Sequence, residues 1–170
     1  EFGHNYGLGH ASFWDTSGSS VVGSGFNDEY GNDFDIMGGG PDPEGHFHPQ
    51  AKKKIAWLDT ADWVDTSVGG SGTHRLYRGD HKDTTGVRGL RVPKNGGGNH
   101  YYWIGYRKGI LTNAYLQSGV VLNWEKSGRS WLIDTTPGSA DGKSDGGVVI
   151  GQTYSDPSAE VHITPVAQGG

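Results

Sequence analysis

The second half of the chain is divided into short runs of β-forming residues by glycine-rich turns, and this pattern restricts the chain to a sheet-rich fold. The runs cover residues 73–78, 89–92, 101–107, 120–125, 130–134, 148–154 and 160–164. The segments between them hold mostly Gly, Asn, Asp, Ser or Pro, and 31 of the 170 residues are glycine. Seven short strands separated in this way are typical of an antiparallel β-sandwich or barrel.

The first 66 residues have a different pattern. Residues 1–12 are predicted as a short helix that runs into a turn, and residues 15–45 as a polar loop. A second helix is predicted over residues 49–58, where apolar side chains recur at helical spacing. Residues 69–72 are expected to be a linker. The predicted class is therefore α+β, with one unit over residues 1–66 and a β-sandwich-like domain over residues 73–166.

Composition excludes several kinds of site and partner. The chain has no cysteine, so it has no disulfides, no thiolate zinc site and no cysteine nucleophile. Any metal site must therefore use histidine and carboxylate side chains. A formal net charge of −5 provides no basic surface for nucleic acid. No window approaches the ~18 uninterrupted apolar residues of a transmembrane helix. We therefore expect no nucleic-acid partner and no membrane span.

The first ten residues bring two histidines and a carboxylate into a spacing that suits a metal ion. On a helix, Glu1 and His4 share a face because they are three residues apart. Gly7 can adopt a positive φ at little cost, so it can end the helix and turn the chain until His10 faces the same point. Two imidazoles and a carboxylate suit Zn²⁺, with the carboxylate free to take a proton from metal-bound water.

These four residues resemble, in register, the zinc signature H-E-x-x-H-x-x-G-x-x-H of the metzincin peptidases. The resemblance implies a zinc ion held by His4, His10 and a third histidine immediately before residue 1. It also implies that Glu1 is the catalytic base and that Gly7 supports the ligand turn. The chain is then the C-terminal half of such an enzyme, lacks the upstream sheet that aligns substrate, and is expected to be inactive by itself.

A second segment carries the same resemblance. Met37, the only methionine, stands in the sequence Asp-Ile-Met-Gly, similar to the Met-turn that forms a hydrophobic floor beneath the zinc ligands of metzincins. This segment, followed by Ile-Ala-Trp-Leu at residues 55–58, resembles the gametolysin-like family in particular. That family has glycine at the position where this chain has Ala56.

The resemblance implies a secreted zinc endopeptidase whose substrate is a protein or peptide. Residues 73–166 are similar only in general character to the C-terminal extension of bacterial relatives. An alternative of another class is a non-catalytic β-sandwich module that binds a glycan or a protein surface and retains a peptidase remnant. The aromatic residues of this region could stack on sugar rings, but aromatic residues in strands mostly pack in cores.

Two other groups of residues have weaker metal-site patterns. His46 and His48 alternate along the chain and could reach a metal ion, but a solvated loop is the favoured interpretation. Asp141 and Asp145 lie among glycines and weakly resemble a calcium loop. Because no bidentate glutamate stands at the right distance, a polar turn is favoured there. Residues 52–54, all lysine, are expected to form the solvent-facing side of the second helix.

Overall fold

The computed structural model describes residues 2–39, 45–95, 98–109 and 112–169, and most of its regular structure belongs to one mixed sheet. The strands of this sheet are β1 (Ala11–Asp15), β2 (Phe26–Asp28), β3 (Trp63–Asp65), β4 (Gly89–Pro93), β5 (His100–Gly105), β6 (Gly119–Lys126), β7 (Arg129–Leu132) and β8 (Val148–Val149). Their order is β2-β1-β7-β6-β5-β4-β3, and β8 pairs with β6 beside this path. A separate hairpin is formed by β9 (Tyr154–Asp156) and β10 (Val161–Ile163).

The helices of the described residues are short. They are a 3₁₀ helix over Phe2–Tyr6, α1 (Pro49–Lys54), α2 (Thr66–Gly69), α3 (Ala114–Gln117) and a second 3₁₀ helix over Gly142–Asp145. The structure is therefore mixed α/β and mostly sheet, in agreement with the broad predicted class. None of the described helices has the length and apolar character needed to cross a membrane.

The centre of the sheet follows the predicted antiparallel pattern. Strands β4, β5, β6 and β7 pair antiparallel with one another in chain order. Ser127 and Gly128 connect β6 to β7 with φ values of +52° and +80°, as in a type I′ hairpin turn. The strands predicted near residues 89–92, 101–107, 120–125 and 130–134 are thus confirmed, with boundaries shifted by one or two residues.

Other parts of the strand prediction were wrong. Residues 73–78 form no strand, although Arg78 makes an isolated bridge to Tyr106. Gly151, with φ +85°, separates the run predicted over residues 148–154 into β8 and β9. The first 66 residues add β1, β2 and β3 to the sheet, and the pairings of β1 with β7 and of β3 with β4 are parallel. Apolar alternation identifies a strand but does not specify its partner.

The main hydrophobic core joins the sheet to the β9–β10 hairpin. Its buried members are Tyr102, Ile104, Leu122, Trp124, Trp131, Ile133, Val148, Tyr154 and Val161. Burying each large apolar side chain of this kind contributes about 1.5–3 kcal/mol. Trp14 from β1 packs edge-on against Trp124, with 5.0 Å between ring centroids. Trp14, Trp124 and Trp131 thus pack in the core.

A buried ion pair attaches the same hairpin to β4. Lys94 Nζ contacts Asp156 Oδ2, and the Tyr102 hydroxyl donates to that oxygen at 2.7 Å. Asp156 Oδ1 accepts a bond from Ser158 Oγ at 2.7 Å. Burial raises the pKa of Asp156, but the hydrogen bonds that its carboxylate accepts outweigh burial and lower the pKa to about 2. Asp156 is therefore ionised at neutral pH.

Helix α1 ends in a Schellman motif. The Ala56 N–H donates to the Lys53 carbonyl at 3.2 Å, and the Trp57 N–H donates to the Lys52 carbonyl at 2.8 Å. Ala56 has φ +59°, a conformation that glycine adopts without the steric cost of a Cβ. The position at which the family resemblance implies glycine is therefore one where the local backbone favours it.

One lysine of α1 is not on the solvent-facing side that the sequence predicts. The Lys52 side chain is buried, and its Nζ donates to the Gly79 carbonyl. Burial, together with the charge of Arg107, lowers the pKa of Lys52 to about 8. The expectation of an exposed side chain was wrong for Lys52 because the 79–80 loop covers this end of the helix.

Candidate functional site

The segment that carries the two predicted zinc histidines folds as a short helix, a turn and a strand. The helix predicted over residues 1–12 was too long: a 3₁₀ helix covers Phe2–Tyr6, and β1 begins at Ala11. Gly7 ends the helix with φ +76°. The Gly7 N–H donates to the His4 carbonyl at 2.9 Å, and the Leu8 N–H donates to the Gly3 carbonyl at 3.1 Å, which is a Schellman pattern. After this turn the chain enters the sheet as β1, which pairs with β2 and β7.

The turn at Gly7 brings His4 and His10 together. Their ring centroids are 5.0 Å apart and their planes cross at 70°. His4 Nδ1 donates to the Leu8 carbonyl at 2.8 Å. Because a carbonyl oxygen can only accept, Nδ1 of His4 carries a proton, and in the neutral imidazole Nε2 then presents the lone pair. Glu1, the predicted catalytic base, lies outside the described residues.

The orientation of His10 is set by two residues that follow β2. His10 Nδ1 donates to Glu29 Oε1 at 2.6 Å, so that in the neutral imidazole Nε2 is the lone-pair atom. The Tyr30 hydroxyl donates to this Nε2 at 2.8 Å. Histidines that bind metals commonly donate their second ring nitrogen to a carboxylate or a backbone carbonyl. Glu29 and Tyr30 were not predicted as site residues, because no local spacing reveals that the β1–β2 pairing places them beside His10.

Met37 lies beneath the histidine segment. Its side chain is buried in a small cluster with Leu8, Ala11 and Ala51. The Ala11 N–H donates to the Met37 carbonyl at 2.8 Å, which fixes the Met37 turn to the start of β1. Gly3, one residue before His4, packs directly on the Met37 sulfur atom. Met37 thus packs against Gly3 and Ala11, the residues that precede His4 and follow His10.

The turn that holds Met37 is anchored by a buried ion pair. Asp35 Oδ1 accepts a bond from the Met37 N–H at 2.8 Å, and Asp35 Oδ2 contacts His48 Nδ1. His48 Nε2 lies 3.0 Å from Gln50 Oε1, whose amide nitrogen in turn donates to the Gly128 carbonyl. Acceptors thus face both ring nitrogens, an arrangement that the imidazolium form satisfies. Burial raises the pKa of Asp35, but the charge and hydrogen bonds of His48 outweigh burial and lower it.

The solvated loop predicted for His46 and His48 was wrong for His48, which is 5% exposed. His46 is partly buried, and its Nδ1 lies 3.3 Å from the Phe47 carbonyl. Burial, with the charge of Lys52, lowers the pKa of His46. Asp35 is the first residue of the Asp-Ile-Met-Gly segment, but its contact with His48 was not predicted, because the two residues are 13 positions apart and no local pattern joins them.

His4 and His10 line a cleft with a volume of about 510 Å³. Its lining includes His4, His10, Met37, His48, Lys54 and Arg129. Ser127 to Ser130, at the β6–β7 turn and the start of β7, also line this cleft. The candidate site therefore uses residues from both halves of the sequence.

No group of three or more His, Asp or Glu side chains that could hold a metal ion occurs among the described residues. His4 and His10 provide two nitrogen ligands, so a structural zinc or catalytic zinc would need a further ligand from elsewhere. Asp141 and Asp145 are bound to protein donors. The Tyr115 hydroxyl donates to Asp141 at 2.8 Å, and the Thr136 hydroxyl donates to Asp145 at 2.6 Å. This arrangement agrees with the favoured interpretation of a polar turn.

Comparison with known proteins identifies no relative: no family model matches the chain, and no curated protein or solved structure is significantly similar to it. The metzincin resemblance therefore rests on the quoted residues.

Proposed function

We propose that this chain is part of a secreted zinc endopeptidase of the metzincin type, similar to the gametolysin-like family, which cleaves protein or peptide substrates. The observation that supports this most strongly is that His4 and His10 form the same kind of hydrogen bond through Nδ1. Each ring donates its Nδ1 proton, to the Leu8 carbonyl or to the Glu29 carboxylate, which leaves Nε2 as the atom that could bind a metal ion. This is the tautomer and the outer contact that histidine ligands of zinc require. On His10, Nε2 accepts from the Tyr30 hydroxyl, which a metal ion would displace.

The same proposal accounts for the residues around the histidines. The 3₁₀ helix, the Met37 turn and α1 would be the C-terminal subdomain of a metzincin catalytic unit, followed by a β-sandwich-like extension. The family pattern adds a third histidine next to Glu1, which completes the three protein ligands of a catalytic zinc site. Met37 supports the histidine segment from below and does not touch substrate.

The chemistry follows from the chain's own groups. Bound zinc would supply a Lewis acid that lowers the pKa of a coordinated water to about 7. Glu1 would accept the proton of the attacking water and transfer it to the leaving amine. Glu29 accepts the Nδ1 hydrogen bond of His10 and so helps to orient its ring.

Zinc affinity tests this proposal. We would measure zinc binding by competition with a chromophoric chelator, using the 170-residue chain and a longer form that carries the residues encoded upstream of Glu1. Replacing His4 or His10 by alanine should weaken binding at least tenfold in both forms, since each variant removes one ligand. His74→Ala is the matched control, because His74 is exposed and does not line the cleft. Equal affinities in all three variants would exclude these ligands.

Cleavage of casein by the longer, zinc-loaded form tests the activity itself. We expect Glu1→Ala to reduce the rate by at least 10²-fold, the usual contribution of a general base. Unchanged cleavage in that variant would overturn the assigned role of Glu1. If instead the protein binds polysaccharide equally well with and without zinc and cleaves nothing, the non-catalytic β-sandwich module is the correct function.

A further inference from the structure

The nitrogen of His10 that would bind zinc is hydrogen-bonded to a tyrosine. The Tyr30 hydroxyl donates to His10 Nε2 at 2.8 Å, while Nδ1 of the same ring donates to Glu29. In the neutral imidazole Nε2 has one lone pair, and a coordinate bond to a metal ion uses that lone pair. The hydroxyl therefore has to leave Nε2 before His10 can act as a ligand.

Tyr30 is held in a backbone conformation that an aromatic residue rarely adopts. It occupies the third position of a turn that the Gly31 N–H closes by donating to the Asp28 carbonyl at 3.1 Å, and its φ is +62°. Glycine or asparagine is usual at such a position, because a Cβ there crowds the following carbonyl oxygen. Backbone strain of this kind persists where surrounding contacts hold it, as they do in ligand clamps and switches.

The contacts of the Tyr30 side chain that oppose this strain are made with His10. The Tyr30 ring lies against the imidazole, with 3.9 Å between the ring centroids and 30° between their planes. Its hydroxyl forms the bond to Nε2. Tyr30 is also 51% exposed, so its side chain can move into solvent without opening the core. In that position its hydroxyl exchanges the bond to His10 for one to water.

We propose that Tyr30 is a latch on the metal position of His10. In the closed form its hydroxyl masks Nε2, and in the open form the phenol lies in solvent and Nε2 can bind zinc. Because zinc binds only the open form, the latch weakens the apparent zinc affinity in proportion to the fraction of chains that are open. One hydrogen bond between neutral groups corresponds to about a three- to tenfold effect. This inference rests on the proposed zinc function and adds a means of regulating the same site.

Chemical modification tests the latch without any metal. Diethyl pyrocarbonate acylates an imidazole nitrogen that has a free lone pair, and peptide mass spectrometry measures the rate at each histidine of the 170-residue chain. Tyr30→Phe keeps the ring and removes only the hydroxyl, so His10 should react about threefold faster or more. His74, which is exposed, is the internal reference and should react equally in both proteins. An unchanged rate at His10 would overturn the latch.

Zinc affinity tests the consequence for the site. In competition with a chromophoric chelator, Tyr30→Phe should bind zinc about three- to tenfold more tightly than the parent chain. The matched control is Tyr115→Phe, which also removes an exposed tyrosine hydroxyl, but one that donates to Asp141 and not to a histidine. The control should bind zinc as the parent does. Equal or weaker binding in Tyr30→Phe, or no measurable binding by either protein, would overturn the latch.

Tyr30→Gly is a second variant that removes the ring as well as the hydroxyl. Glycine adopts a φ of +62° without steric cost, so the variant should keep a urea unfolding midpoint close to that of the parent. Its zinc affinity should rise at least as much as that of Tyr30→Phe. A folded Tyr30→Gly that binds zinc more weakly than the parent would show that Tyr30 supports His10 as a ligand, which is the opposite of a latch.

Casein cleavage by the longer, zinc-loaded form separates this inference from the proposed function. If Tyr30→Phe is modified faster at His10 and binds zinc more tightly, but no form cleaves casein, the latch stands and the peptidase function fails. If casein is cleaved while Tyr30→Phe changes neither the modification rate nor the zinc affinity, the function stands and the latch is wrong.

Discussion

Gly3 packs directly against Met37, so that a Cβ on Gly3 would overlap the Met37 sulfur atom and lie 3.3 Å from Leu8 Cδ1. The residue that precedes His4 is therefore in contact with the buried methionine. Because the histidine helix has only five residues, its position depends on this packing more than on its own hydrogen bonds. Because Gly3 has no side chain, the segment that carries His4 can pack closely against Met37.

We predict that Gly3→Ala destabilises the protein by about 1–3 kcal/mol, the usual cost of inserting a methyl group into a packed site. The matched control is Gly9→Ala, since a Cβ on Gly9 meets no atom within 4 Å. Urea unfolding of the two variants measures the difference. Equal midpoints for both would show that the Gly3–Met37 contact is loose.

The two Schellman turns should respond to substitution with opposite signs. Gly7→Ala places a Cβ at φ +76°, where nothing lies within 4 Å, so its cost is the backbone strain alone, about 1 kcal/mol. Ala56→Gly relieves the same strain at φ +59° and should raise the free energy of unfolding by about 0.5–1 kcal/mol. Thermal unfolding checks both, and a lowered midpoint in Ala56→Gly would contradict the assigned conformation.

Glu29→Gln should weaken zinc binding about 10–100-fold, because the carboxylate that orients His10 and raises its basicity is replaced by a neutral amide. Asp83→Asn is the control, since Asp83 is an exposed carboxylate outside the cleft lining. Chelator competition measures both affinities. Equal zinc affinities in the two variants would show that the contact between Glu29 and His10 does not affect the site.

The Lys94–Asp156 pair should make stability depend on pH in the acid range. The pKa of Asp156 falls from 3.8 to about 2 on folding, so ionised Asp156 contributes about 2 kcal/mol above pH 4. Since a lowered carboxyl pKa means that the unfolded chain takes up the proton first, this contribution is lost as the pH falls from about 4 to about 2. Urea unfolding at several pH values measures it.

In the double variant Lys94→Met with Asp156→Asn, the loss of stability between pH 4 and pH 2 should be smaller by that amount. Replacing both partners avoids leaving one charge buried alone, which would destabilise the fold at every pH. An unchanged acid dependence in the double variant would assign the effect to other carboxylates.

The conformations of the turns could be predicted from the sequence because they depend on neighbouring residues. Positive φ at Gly7 and at the Ser127–Gly128 turn follows from local steric preference. The strands around Tyr102 and Leu122 were recognisable for the same reason, since they alternate and are bounded by turn residues.

What surrounds the two histidines could not be predicted in this way. Glu29 and Tyr30 reach His10 because β1 pairs with β2, and the start of β7 lines the same cleft because β1 pairs in parallel with β7. Pairing joins strands that are far apart in the chain, and its choice depends on how the whole sheet closes over its core. The sequence by itself determined the residue types and the local turn that bring His4 and His10 together. Only the tertiary structure decided which carboxylate orients His10 and which cations line the cleft, because long-range strand pairing leaves no local pattern in the sequence.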